Sequence, residues 1–243
     1  MESLQLQSLR ETKPYCYYNE IQQIIIEICH FHNEFSAAWI KKNQSSELEF
    51  LNFNKKQVRQ VTDIIEEREV FFLKDKFNSL IKSYMNELKP LTIDFEMEYK
   101  YEKFDFRSRG KQFDSIMNKL KYYRVGKQGN GVFGAFNLNK CLNDLFGIRI
   151  VIEDFDHNCK RFYQLCEELR TKHRIRVMDS SKHGYKATHI YFHGESNQYF
   201  PWELQIWNAN DCKSNDISHG IHKRAYTEWA SIYKNSKEIE GGA

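Results

Sequence analysis

The segment Asn143–Asp154, NDLFGIRIVIED, constrains the fold of this chain more than any other. Its run Ile148, Ile150, Val151 and Ile152 reads as a strand bound for the interior of a sheet, yet Asp144 stands just ahead of it and Arg149 interrupts it. Burying either charge without a partner would cost on the order of several kcal/mol. Either the two pair with each other, or other charged groups sit beside them.

Hydrophobic periodicity organises the rest of the chain. From Asn19 to about Asn43, Ile21, Ile24, Ile25, Ile28, Phe35 and Trp39 recur at helical spacing and predict one amphipathic helix. A second helical tract is expected over Lys55 to Leu88, with Phe71 and Phe72 as a break and Pro90 closing it. In LTIDFEMEYKY, Leu91, Ile93, Phe95, Met97, Tyr99 and Tyr101 alternate with polar neighbours, the pattern of a strand with one wet face. Residues 114–122 read as helix, and Gly126, Gly129, Gly131 and Gly134 as a loop. Asp154 is placed to cap a helix running through Phe162, Leu165, Cys166 and Leu169. Residues 174–177 read as extended, THIYFHG and WELQIW as a hairpin with a long turn, and His219 to Tyr233 as a last helix. The expected fold class is α/β, a mixed β-sheet flanked by helices over residues 75–243, preceded by an N-terminal helical extension over residues 1–74.

Composition narrows the class of protein. Hydrophobic residues make up 41% of the chain and aromatics 15%, ample for a packed core, which excludes a disordered chain. The net charge of +3 demands no polyanionic partner, so any basic site must come from local clustering. Six cysteines without a Cys-x-x-Cys pair fit a reducing cytoplasm and indicate no structural zinc site. No apolar stretch approaches the length of a membrane span, so a cytoplasmic protein with no membrane partner is expected.

Basic clustering does occur. Lys100 to Lys127 holds nine basic residues against three acidic ones, and within it Arg107, Arg109, Lys111, Ser115 and Lys119 sit where a strand gives way to a helix. Such a series either forms a solvated face or converges on one polyanion, and a triphosphate would suit it. Asp144 before one strand and Glu203 inside another are either surface charges or paired carboxylates for a hard cation such as Mg²⁺, which takes one or two carboxylates plus substrate phosphates. In SSKHGYKATH, Tyr185, Lys186 and His189 offer an aromatic plate, a cation and a titratable donor, and an exposed Tyr can stack on a base. His219 and His222 are assigned a structural or substrate role rather than a metal.

Taken in order, RSRGKQFDSIMNK, NDLFGIR, GYKATH and ELQIW resemble the basic strand-to-helix segment, the Asp-x-x-Gly-x-Arg segment, the Gly-Tyr-x-x-x-His loop and the Glu-x-Gln strand of the RelA/SpoT synthetase domain. The resemblance spans about residues 75–235 and implies an ATP pyrophosphokinase, which moves the β,γ-pyrophosphate of ATP to a ribose 3′-hydroxyl. It implies that Arg109, Lys111, Ser115 and Lys119 hold the ATP phosphates, with Arg107 and Arg149 on phosphate or adenine. It further implies that Asp144 and Glu203 hold Mg²⁺, that Glu203 also polarises the attacking hydroxyl, and that Tyr185 stacks on the acceptor base. Lys186, His189 and Gln205 complete the acceptor side.

Two departures bear on the acceptor. Trp207-Asn208 stands where the family continues Arg-Thr, and GYKATH replaces the more usual Gly-Tyr-Arg-Ser-x-His. Loss of a cation there disfavours a free nucleotide with a 5′-polyphosphate. The expected acceptor is accordingly the 3′-CCA end of tRNA, in the manner of toxic family members neutralised by an antitoxin protein. GDP or GTP as acceptor is the alternative, adenine nucleotides a third, and a catalytically inactive RNA-binding or interaction module a fourth. The absence of an accompanying hydrolase domain is expected to make the activity toxic.

Overall fold

The computed structural model describes residues 2–44, 50–65, 70–126, 128–129, 131–182, 184–218 and 220, with side chains from Tyr17 onward. The elements in chain order are α1 (Glu2–Asn43), α2 (Val58–Val61), β1 (Thr62–Ile65), β2 (Val70–Leu73), α3 (Asp75–Ile93), α4 (Glu96–Lys100), β3 (Arg107–Gly110) and α5 (Phe113–Lys121). They continue with β4 (Gln128–Gly129), β5 (Val132–Phe133), α6 (Leu138–Cys141), β6 (Phe146–Ile152), α7 (Lys160–Arg170), β7 (Ile175–Asp179), β8 (Thr188–Phe192) and β9 (Trp202–Asn208). Five strands form the central sheet in the order β3-β6-β9-β8-β7, and β1–β2 and β4–β5 are separate two-stranded hairpins. The β6–β9 pair is parallel and the other central pairs are antiparallel, so the sheet is mixed as expected.

Alternation along β6 and β9 divides the sheet into a core face and an open face. Phe146, Ile148, Ile150 and Ile152 are buried on one side, together with Trp202, Leu204 and Ile206. Successive strand side chains point oppositely, so Gly147, Arg149 and Val151 share the other face with Glu203, Gln205 and Trp207, with which they are in register. The core face is covered by Ile21, Ile24, Ile25 and Ile28 of α1, by Leu80, Ile81 and Tyr84 of α3 and by Phe162 of α7, all in one continuous cluster. The N-terminal helix thus belongs to the same core as the sheet. Within this layer the Trp202 indole donates to the Tyr84 hydroxyl at 2.7 Å, and Trp202 also lies against Phe146 and Phe35.

Four sequence expectations are corrected. Residues 91–101 form no strand: α3 runs through Pro90 to Ile93, and α4 follows. Phe95, Met97 and Tyr101 do turn inward, but Ile93 is 84% and Tyr99 71% exposed, so the alternation does not define one buried face. The helix expected over 55–88 is instead α2, the β1–β2 hairpin and α3, because Thr62, Ile64, Ile65, Val70, Phe71 and Phe72 are β-branched or aromatic and favour extended pairing. Residues 1–74 are therefore not wholly helical. Asp154 caps nothing: it adopts a left-handed φ of 52° in the turn after β6, and α7 begins only at Lys160. The helix expected from His219 to Tyr233, with His222, lies outside the described residues, apart from Gly220.

Replacing Tyr84 with Phe removes the acceptor of a fully buried indole N–H. The expected loss is about 1–3 kcal/mol of unfolding free energy, read from urea denaturation, with little change in shape. An unchanged midpoint would show that this hydrogen bond contributes nothing net.

Candidate active site

The basic segment is positioned by a strand, a turn and a helix. β3 pairs with β6 so that Arg107 faces Arg149 and Arg109 faces Gly147 across the ladder. The chain then turns through Lys111, whose backbone N–H donates to the Leu145 carbonyl at 2.9 Å, and enters α5. Ile116 and Leu120 anchor α5 in the core, which leaves Ser115 in its first turn and Lys119 in its last turn half-buried. Gln112 at the N-cap makes no side-chain capping bond, so the first N–H groups of α5 point toward the Lys111 turn.

These cations converge on Asp144. Lys111 Nζ binds its Oδ2, Lys119 Nζ its Oδ1 at 3.0 Å, and Lys119 also reaches Asn143 Oδ1 at 3.1 Å. Burial by itself would raise the Asp144 carboxyl, but the two lysines outweigh it and hold the group well below the ordinary carboxylate range. Burial pulls Lys111 below the usual lysine value despite Asp144, whereas for Lys119 the carboxylate's charge prevails and the net shift is upward. One carboxylate shared by two ammonium groups leaves positive charge over, as an incoming anion requires.

Glu203 lies on the adjoining strand, only 6% exposed. Its Oε1 is 3.0 Å from His189 Nδ1 and its Oε2 accepts from Gln205 Nε2 at 2.7 Å. The other His189 nitrogen, Nε2, is 2.9 Å from the Tyr185 hydroxyl. The tautomer with Nδ1–H donating to Glu203 and Nε2 accepting from Tyr185 satisfies these two contacts. Burial pushes Glu203 upward, but the His189 contact outweighs it and the carboxyl ends below its ordinary value, with the Asp144 charge opposing this. The two carboxylates are thus within electrostatic reach of each other. Tyr191, in register with Glu203, is driven upward by burial and then by that carboxylate.

Between the two halves the floor is open. Gly147 stands in register between Arg109 on one side and Glu203 on the other, and nothing lies within 4 Å of where a Cβ would sit.

Arg149 is satisfied by Trp207 and by two acids that carry no local sequence signal. It does not pair with Asp144; its guanidinium lies 4.6 Å from the Trp207 ring centroid, 3.5 Å from Asp105 and 3.8 Å from Asp216. Asp105 also holds Arg107 at 2.8 Å, so both arginines are tethered at the rim. Tyr185 is not the exposed plate its loop suggests: it is 9% exposed and set edge-on to Trp207 at 6.1 Å. Lys186 leaves the face, pairing with Asp211 at 3.2 Å while Asn215 clamps its backbone N–H and C=O at 2.8 Å each. Asp105, Asp211, Asp216, Asn215 and Tyr191 were all missed, since none carries a local spacing signal.

As hard oxygen donors at one end of a phosphate-seeking cluster, Asp144 and Glu203 suit a Mg²⁺ that draws its other ligands from phosphate and water. Among the described residues no group of three or more His, Cys, Asp or Glu side chains gathers around a common point, so a fuller protein cage is not offered.

The model of the region found in RelA / SpoT proteins matches residues 108–229, half of the chain. The chain belongs to the RelA/SpoT family. RelA/SpoT members are pyrophosphokinase-type synthetases. Among solved structures, small alarmone synthetase 1 from Bacillus subtilis is 18% identical, with 69% of this chain and 97% of that chain covered and a TM-score of 0.35. Small alarmone synthetase 2 from the same organism is 20% identical, covering 69% and 93%, with a TM-score of 0.35. The AMPCPP-bound structure of synthetase 1 is 17% identical, covering 69% and 97%, with a TM-score of 0.31. No curated protein matches the chain. No helix of the described residues is long and apolar enough to cross a membrane.

The depressed Asp144 and Glu203 carboxyls link this RelA/SpoT site to stability. Their contribution is whole above the ordinary values of 3.8 and 4.5 and is lost as pH falls from there toward their folded values. Urea midpoints measured down the acid limb should fall for the native protein and fall less steeply for Asp144→Asn. Identical slopes would mean the lysines do not hold the carboxylate ionised.

Proposed function

We propose that this RelA/SpoT member transfers the β,γ-pyrophosphate of ATP to the ribose 3′-hydroxyl at the 3′-CCA end of tRNA, blocking translation under the control of an antitoxin protein. Residues 75–243 form the synthetase unit in this reading, and the preceding segment buttresses its core. The observation that carries the choice of acceptor is Lys186. It is the cation of the loop beside Tyr185, and it is held by Asp211 at 3.2 Å instead of facing the acceptor wall. That wall is made of Tyr185 and Trp207, packed edge-on to each other, and of His189 and Gln205, whose polar atoms can hydrogen-bond a terminal nucleoside, and none of the four reserves a cation for a 5′-polyphosphate.

The mechanism needs positioning and charge neutralisation more than covalent chemistry. Arg109, Lys111, Ser115 and Lys119 take the ATP phosphates at the start of α5, and Arg107 and Arg149 hold the rest of the nucleotide at the rim. Lys111 and Lys119 exchange Asp144 for phosphate oxygens as ATP enters, which frees that carboxylate. Mg²⁺, held by Asp144 and Glu203, would supply further neutralisation of the phosphate charge. Glu203, already ionised and held by His189 and Gln205, accepts the proton of the 3′-hydroxyl as O3′ bonds to the β-phosphorus. The bond from the β-phosphorus to the α-phosphate oxygen breaks and AMP leaves.

Incubation with γ-labelled ATP and bulk tRNA should place label on the tRNA 3′ end with release of AMP. Label found only in guanosine nucleotides, when GDP and GTP are offered, would replace this reading with alarmone synthesis. No transfer to either would favour an inactive module. Glu203→Gln should slow transfer by about 100-fold or more while leaving ATP binding in place.

Calorimetry should show Mg²⁺ binding weakly to the free protein and tightly only with ATP present, because both Asp144 oxygens are occupied until phosphate draws the lysines away. Tight binding of Mg²⁺ alone would overturn the lysine exchange.

A further inference from the structure

A second concave site lies where β7 begins and β8 ends. It is a cleft of about 340 Å³ lined by Asn54, Asn139, Arg170, His173, Arg174 and His193, together with Ile175. None of these residues belongs to the Asp144–Glu203 site, and its volume falls within the range of about 300–1,000 Å³ usual for small-molecule sites.

The lining is cationic and pre-arranged. Ile175 pairs with Phe192, and the His193 N–H donates to the Arg174 carbonyl at 2.9 Å, so the strand ends fix the imidazole beside the arginine. The Arg174 guanidinium is oriented by Asn197 Oδ1 at 2.6 Å, which also accepts from Asn54 at 2.5 Å. Asn54 Oδ1 in turn accepts from Asn139 Nδ2 at 2.6 Å. This ladder of amides ends in an unused acceptor: Asn139 Oδ1 is buried without a hydrogen-bond partner. Arg170, from the last turn of α7, pairs with Glu167 at 3.3 Å, and both side chains are well exposed. His30 lies edge-on to His173 at 6.1 Å. Burial, then His30 and Lys172, hold His173 down, and burial followed by Arg174 and Arg176 does the same for His193.

Two arginines, two imidazoles and a lone buried acceptor make a particular demand. We propose that this cleft binds a small phosphorylated molecule, its phosphate between Arg170 and Arg174 with His173 and His193, and a hydroxyl or N–H of the same molecule donating to Asn139 Oδ1. Arginine's planar fork suits phosphate oxygens, and charge-assisted bonds of this kind outweigh neutral ones. A bare anion would leave Asn139 unsatisfied, so a sugar phosphate or nucleotide fits better than inorganic phosphate.

The test is carried out on the full chain with histidine-labelled protein, with ring resonances assigned from His173→Asn and His193→Asn variants. Ribose 5-phosphate and tripolyphosphate serve as probes. Both should move the His173 and His193 resonances, ribose 5-phosphate the more strongly although it carries less charge, because only it has hydroxyls to donate to Asn139 Oδ1. Arg170→Gln should weaken the response by about tenfold, the loss of one charge-assisted hydrogen bond. Asn139→Asp, which places a carboxylate beside the phosphate, should weaken it further, and Arg170→Gln, at an exposed side chain, should keep the native unfolding midpoint within error. Resonances that stay still with both probes would overturn the proposal. So would equal affinity in Arg170→Gln, or a response to a short single-stranded RNA that neither probe competes away.

Discussion

One carboxylate held between two lysines organises the catalytic face. Asp144 sits at the entrance to β6, Lys111 in the turn after β3 and Lys119 a helix length further on, so a single cluster of charges ties together the strand, the turn and α5. Without Asp144 the two ammonium groups would repel each other in a half-buried setting, and without the lysines the carboxylate would lack partners close to an apolar strand. The same cluster that satisfies the fold leaves an excess of positive charge. In the proposed mechanism, stability of the free protein and affinity for phosphate draw on one set of groups.

The legible part of the sequence was the part governed by local pattern. β6 and β8 alternate between a buried and a half-buried face, β9 alternates in residue type, and α5 and α7 have an apolar side that meets the core, so periodicity identified them. Residues 91–101 carried the same alternation but lie at the end of a helix, where Phe95, Met97 and Tyr101 find the core and Ile93 and Tyr99 do not. Period alone cannot tell which apolar residues will meet a neighbour. The β1–β2 hairpin was hidden for a related reason: its two short strands resemble an interrupted helix face until they pair.

The site divides in the same way. The residues proposed for phosphate and metal, Arg109, Lys111, Ser115, Lys119, Asp144 and Glu203, were readable as a basic series and two acids at strand ends, on α5 and on one strand, and their roles only through the resemblance to the RelA/SpoT motifs. Their restraints were not. Asp105 reaches Arg149 across 44 positions of sequence, and Lys186 meets Asp211 across 25. Only the assembled sheet brings these together, and their consequence is a tethered rim and a lysine turned to Asp211.

Gly147 shows how far the demands of folding and of chemistry can part company. A methyl group at that position would collide with nothing, so the fold itself is indifferent to it. It would nevertheless occupy open space between Arg109 and Glu203, on the path that the proposed transfer of pyrophosphate would take. Drift at this position would go unnoticed by any thermometer and be noticed at once by a substrate.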